Sequence, residues 1–429
     1  TPNEQETVRR MTDTTSTADP PKAPPDPHRS WQRTLWAMVG IQFVMTGSIT
    51  FLSPIIPLML PQLGVTSIEA IDLWSGIITG STPFVAAFAA PLWGRLADRQ
   101  GRKLALLRSS CAIAVFTALM GLATNVWAFF GARAVMGLFA GFSSAAIALV
   151  ASQVPERQLG YALGWLATGQ LVGSLIGPVI GGGLADLTGS YRIPFYATAV
   201  ITLVALALVW VIVDEEFTPP ARDAGRSSLR STFGVLTSSA ALLPLFLVLL
   251  MAQFSVRTVQ PVVSLFVQEL IGNPPHLATL AGIAFSITGL ADLISSPFLG
   301  KRSDVIGYRR VLLICLAGAA ITSAPQAFVG SYPAFVAARF AVGLFIGGIL
   351  PTANALIGRS VPRAHRGSVY GMTASATFLG NSLGPIVGGA IGASLGLRAV
   401  FLITTALLLA NLVWVWFKVP EYRESDEDA

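Results

Sequence analysis

The sequence predicts an all-α integral membrane protein whose twelve transmembrane helices form two pseudo-symmetric six-helix bundles. Three observations lead there. First, 53% of the 429 residues are hydrophobic and only 12% are charged, against about 25% charged in an ordinary soluble domain. The mean hydropathy of +0.65 is more than a water-soluble fold can hide. Second, the apolar residues fall into twelve runs near the roughly 20 residues needed to cross a bilayer. Third, the last six runs repeat the first six at an offset of about 206 residues.

The first set of runs spans 34–59, 72–94, 103–122, 127–152, 159–183 and 193–213. The second spans 240–268, 279–299, 309–328, 333–357, 367–391 and 397–418. These are helices 1 to 12. The domain boundaries that follow are a disordered tail over 1–33, an N-terminal bundle over 34–213, a linker over 214–238, a C-terminal bundle over 239–418 and a second tail over 419–429. Residues 1–30 are polar and Pro-rich with no apolar core, which reads as a disordered tail rather than a signal peptide.

Charge sets the topology. All but five of the 28 Lys and Arg residues fall in the tails or in loops on one side of this arrangement. Arg192 and Arg398 fall on the other side, and Arg133, Arg257 and Arg339 lie within runs. Basic loops stay in the cytoplasm, so both termini are expected there, with the chain crossing the cell's cytoplasmic membrane many times. The net charge of +6 is thus a topology signal and not a nucleic-acid footprint.

Little else points to chemistry. Cys111 and Cys315 each sit inside an apolar run and read as small buried residues. His28, His276 and His365 make no metal-ligand spacing. The sequence offers no nucleophile–base constellation, no zinc-protease motif and no phosphate loop. No enzyme, metal or cofactor is expected, and the partners are a small-molecule substrate, protons and the bilayer, acting on a chain that works as a monomer.

The duplication is visible residue by residue. Pro91-Leu-Trp-Gly94-Arg-Leu-Ala-Asp98-Arg-Gln-Gly101 aligns with Pro297-Phe-Leu-Gly300-Lys-Arg-Ser-Asp304-Val-Ile-Gly307. Arg133, Gly137 and Gly141 align with Arg339, Gly343 and Gly347, and Gly177-Pro178-Val-Ile-Gly181-Gly182 aligns with Gly384-Pro385-Ile-Val-Gly388-Gly389. Repeated halves of this kind build transporters in which a central site is exposed alternately to each side.

From about Trp31 to Lys418 these residues resemble the major facilitator superfamily, and within it the twelve-span drug:proton antiporters. Trp74-Ser-Gly-Ile, Gly94-Arg-Leu-Ala-Asp98-Arg-Gln-Gly-Arg-Lys103 and Leu397-Arg-Ala-Val-Phe401 are most similar to the MdtG-type multidrug exporters. The resemblance implies the major facilitator fold and roles for three motifs. The helix 2–3 loop, with Gly94, Asp98, Arg99, Gly101 and Arg102 and a weaker copy keeping Asp304, would latch the cytoplasmic ends of the halves. Arg133 in helix 4 would take part in proton coupling, although an Arg locking helix packing through nearby carbonyls fits as well. Gly164, Gly173, Gly177, Pro178, Gly181 and Gly182 in helix 5 form the antiporter pattern that goes with export.

The chain departs from many relatives in having no acid in helix 1, where Gly40 to Leu60 carries neither Asp nor Glu. Asp292 in helix 8 is then the candidate proton carrier, because an ionisable group inside the bilayer is costly and by default functional. Arg257 in helix 7 lies at a similar depth. At about 1.5 Å per residue both are some 16–20 Å below the outer surface. The expectation is an Arg257–Asp292 pair that is either coupling machinery or a static clasp. The substrate cavity is expected between the halves, with Phe43, Met45, Phe139, Phe254 and Phe378 as its apolar wall and Gln42, Gln170, Gln253, Asn354 and Asn381 as polar anchors. Together these readings imply proton-coupled export of lipophilic, drug-like molecules. Export of sugars, lipids or a metabolite remains open, as does an uncoupled facilitator of the same fold.

Overall fold

The computed structural model describes residues 27–215, 242–360 and 366–419, without the side chains of 27–30, 91, 95, 98, 242, 358–360, 366–372 and 374. Most of the expected tails and linker therefore lie outside the described residues. The rest is helical, with twelve candidate membrane spans. The first runs Trp31–Leu63 and the last Leu397–Lys418, so both ends of the bundle's chain emerge on one face. We call this the terminal face and its opposite the far face.

Boundaries moved by a few residues. Helix 1 begins at Pro27, ahead of the expected boundary at 34, and Trp31 and Leu35 are already buried. Helix 2 begins at Ile68 rather than 72, because Ser67 caps it by accepting from Ala70 N at 3.2 Å. Helix 4 starts after Asn125, whose Oδ1 accepts from Ala128 N at 2.9 Å. Gly101 joins helices 2 and 3 on its own with φ +96°, and its repeat Gly307 joins helices 8 and 9 with φ +97°. Only glycine enters that region without strain.

Helices 1 and 7 break at equivalent positions. Helix 1 passes from Pro27–Thr50 to Ile55–Met59, and helix 7 from Leu242–Thr258 to Val263–Ile271. Helix 4 also breaks, between Val126–Leu138 and Phe142–Gln153, with Gly141 at φ +130°. Its repeat, helix 10, is continuous over Tyr332–Ser360.

Lipid offers helices no hydrophobic reason to associate, so close backbone contact must do so. Helix 5 lays Gly169, Gly173, Gly177 and Gly181 on the backbone of Val39, Phe43, Gly47 and Phe51 in helix 1. Helix 11 repeats this on helix 7, with Gly380, Gly384 and Gly388 against Leu250, Phe254 and Thr258. The antiporter glycine pattern thus divides. Gly173, Gly177 and Gly181 pack on helix 1, Pro178 and Gly182 face helix 8, and Gly164 meets open space. Gly181→Val, whose β-carbon would come within 2.5 Å of the Phe51 Cα, is expected to lower the thermal unfolding midpoint in detergent, by the equivalent of about 1–3 kcal/mol or more. Gly164→Val should leave that midpoint unchanged.

Candidate functional site

The two halves meet at the far face through two symmetric crossings. In one, helix 2 presses Gly76 against Pro385 and Gly389 of helix 11. In the other, helix 8 presses Gly282 against Pro178, and Ala278 against Gly182, of helix 5. Hydrogen bonds seal the same end. Ser264 in helix 7 donates to the Pro54 carbonyl of helix 1 at 2.9 Å. Asp186, at the end of helix 5, accepts from Ala278 N at 3.2 Å, Thr279 N at 2.7 Å and the Thr279 hydroxyl at 2.5 Å. A carboxylate at a helix C-terminus is poorly placed, but here it caps the N-terminus of helix 8 instead.

Towards the terminal face the crossings end. Gly94 of helix 2, Gly164 of helix 5 and Gly300 of helix 8 each face open space. Phe88, Leu92, Tyr161 and Phe298 on these helices are exposed. The arrangement is a bundle closed at the far face and parted at the terminal face.

Charged residues inside the spans are placed by the duplication and then diverge. Thr82 donates to the Arg133 carbonyl at 3.0 Å, and Thr288 to that of Arg339 at 3.3 Å. The Arg339 side chain is held, its Nε donating to the Ala284 carbonyl at 3.2 Å. Arg133 Nε and Nη1 are buried with no hydrogen-bond partner among the described residues. Arg133 is thus the member of the pair with capacity to bind another group.

Arg257 and Asp292 do not form the expected pair. Arg257 Nε donates to Asn381 Oδ1 at 2.9 Å and Nη1 to Gln260 Oε1 at 3.4 Å. Asp292 lies against Gly347 of helix 10, where a β-carbon would come 2.6 Å from its Oδ1. Depth along a helix was legible from the rise per residue, but the direction around the axis was not. The small residues of helix 10 draw Asp292 onto that helix, while Gly384 draws Arg257 onto helix 11.

The expected cavity residues separate in the same way. Gln253, Phe254, Arg257 and Asn381 gather at the helix 7–11 contact. Gln170 and Phe378 are exposed, and Phe43 and Asn354 are half-buried. Gln42 and Met45 belong to the packed interior instead of an open wall, each 1% exposed. Gln42 donates to Ser143 Oγ at 2.9 Å, tying helix 1 to helix 4. Phe139 stacks on Phe116 and Trp93, with Arg108 above the Trp93 ring at 3.5 Å.

Among the described residues, the helix 2–3 loop makes no hydrogen bond to the other half. Its Arg99 is exposed and the Asp98 side chain lies outside the described residues. Glu215, at the start of the linker, accepts from Arg102 N at 2.8 Å and Lys103 N at 2.7 Å, capping helix 3. In the copy, Asp304 accepts from the Tyr308 hydroxyl within its own half.

Sequence reasoning missed two acids at the far face, Asp186 and Asp72. Asp186 fell past the expected end of helix 5 at 183, and Asp72 stood on the expected first residue of helix 2. The missed signal was the Ser67 cap, which starts helix 2 a turn earlier and carries Asp72 inward. Asp186→Ala should loosen the seal. With Cys111 and Cys315 replaced and Ser264→Cys as reporter, a polar maleimide should react about tenfold faster in this variant, the equivalent of about 1.4 kcal/mol.

Comparison with known proteins agrees with this geometry. The Major Facilitator Superfamily model matches residues 38–280 and 245–429. Multidrug resistance protein MdtG of Serratia proteamaculans (strain 568) is 38% identical over 389 residues, covering 90% of this chain and 94% of the relative. MdtG of Citrobacter koseri is 37% identical over 404 residues, covering 94% and 99%. In fold, the nucleoside transporter NupG superposes with a TM-score of 0.72 at 14% identity, over 89% of this chain and 98% of the other. The D-xylose–proton symporter gives 0.72 at 15% identity, over 91% and 98%. The family model spans both repeated halves, as the paired glycine crossings do, and the chain belongs to the major facilitator superfamily.

Proposed function

We propose that this protein exports small lipophilic, drug-like molecules across the cytoplasmic membrane in exchange for protons, by alternating access of a site between its halves. The observation that carries the reading is a bundle sealed at one face by two symmetric crossings and parted at the other. Such an arrangement can rock between two openings about the same contacts. The relatives named as multidrug resistance proteins support drug-like cargo. Basic loops on the terminal face support a cytoplasmic position for both termini, so the parted face loads substrate from the cell interior. A single chain holds both halves and serves as the working unit.

Within this reading Asp292 carries the proton. Asp292 stands in helix 8 beside the Gly347 contact, so a change in its charge acts on helix 8–10 packing. Arg133, with two unpartnered guanidinium nitrogens, stabilises the acceptor groups that appear as the cycle turns. The Arg257–Asn381–Gln260 cluster shapes the polar part of the helix 7–11 wall.

The test is purified protein in liposomes with an imposed pH gradient. Adding a lipophilic cationic drug should release or take up protons in step with drug movement. Asp292→Asn should abolish that proton flux while drug binding in detergent persists. Drug movement without proton flux in the unaltered protein would make it a facilitator.

A further inference from the structure

The closed far-face gate contains an acid that the transport reading does not use. Asp72, in the second turn of helix 2, is 2% exposed. Its side chain faces Gly392 of helix 11, where an added β-carbon would come 3.3 Å from Oδ2 and 3.4 Å from Cβ and Cγ. Its main-chain carbonyl meets Gly389. Oδ1 is buried with no hydrogen-bond donor among the described residues.

The other crossing shows what a tolerated carboxylate looks like. Asp186 accepts two backbone N–H bonds and a hydroxyl from the start of helix 8. Asp72 has none of this, although the duplication puts it at the place of Ala278 on the opposite crossing. Its charged neighbours do not help. Glu69 lies one turn earlier on helix 2, and Glu269 lies on the far half of helix 7. Arg398 is committed to Glu269 at 3.1 Å and Arg257 to Asn381 and Gln260. Helix 11 offers Gly389 and Gly392, which bear no titratable group, and the Gln260–Val262 turn bears none either.

A carboxylate whose Oδ1 is buried without a donor among the described residues, against a glycine backbone and with Glu69 and Glu269 as its charged neighbours, is costly, whereas a neutral carboxyl there costs far less. We propose that Asp72 is a proton-binding site of the far-face gate, taking up one proton from the far-side solution each time helices 2 and 11 close over it and releasing it when they part. The proton comes from bulk water on that side, and no other bond changes. The site differs from Asp292 in position and in step, and it rests on the proton-exchange reading only for its place in the cycle. There, acid outside the cell drives the gate shut and returns the protein to its inward-parted form.

The test measures gate closure without substrate or gradient. Nitroxide labels are placed at Thr124→Cys, in the exposed far-face loop between helices 3 and 4, and at Phe328→Cys, which is 74% exposed between helices 9 and 10. Cys111 and Cys315 are replaced. Double electron–electron resonance should show the short, closed distance dominating near pH 5 and a longer distance gaining at least several-fold in population near pH 9. Asp72→Asn should hold the short distance at both values, and Glu156→Gln, at an exposed acid in the helix 4–5 loop of the terminal face, should keep the pH response. A distance distribution in the unaltered protein that does not change with pH would overturn the proposal, as would an Asp72→Asn protein that keeps the full shift. Either result leaves drug–proton exchange in liposomes untouched. Absence of that exchange beside an intact pH-driven gate would instead overturn the antiport reading alone.

Discussion

Backbone touching backbone, with no β-carbon between, is the contact on which this protein depends. In lipid an apolar side chain gains nothing by leaving the tails for another helix. The helices that carry the architecture therefore present glycine to each other's main chains. Helix 5 does so on helix 1, helix 11 on helix 7, and the crossings at Gly76–Gly389 and Pro178–Gly282 join the halves. Since these contacts involve few flexible side chains, they fix angle and distance closely. They can also be parted at one end without unmaking a core.

The duplication supplies this contact twice, and its lapses mark where the two copies do different work. Thr82 and Thr288 make the same bond, yet Arg339 finds the Ala284 carbonyl while two Arg133 nitrogens have no partner among the described residues. Helix 4 is broken at Gly141, and helix 10 is continuous past Gly347 with Asp292 set against it. Each crossing carries one acid, donated by helix 5 in one case and by helix 2 in the other. Asp186 is bonded through both oxygens, whereas Asp72 Oδ1 has no partner among the described residues. Symmetry explains the scaffold, and the departures from it hold the ionisable groups.

Much of this was legible in the chain before any coordinates. Length and apolar runs fix twelve spans, and the repeat pairs the glycines of helix 5 with those of helix 11, but the neighbour each glycine meets came only with the fold. The loop expected over 95–102 shrinks to Gly101 alone, because helix 2 runs on to Gln100. Direction around a helix axis was harder to read. Arg257 and Asp292 share a depth but not a face, and Gln42 and Met45 point into packing instead of an open wall. Those outcomes depend on which neighbouring helix offers a small residue at the same height, and that is a property of pairs of segments. Caps mattered as well. One serine moved the start of helix 2 and turned Asp72 from an interfacial residue into a buried one.

Consider finally the turns made by Gly101 and Gly307. A joint of one residue has little slack, so it holds the terminal-face ends of helices 2 and 3 together, and those of helices 8 and 9. Helices 2 and 8 form the crossings, and helices 3 and 9 are joined directly to them. Each hairpin is then a lever whose outer arm lies away from the crossing and whose inner arm forms the gate. A tilt imposed on helix 3 or 9 by the bilayer therefore bears on helices 2 and 8 through these joints.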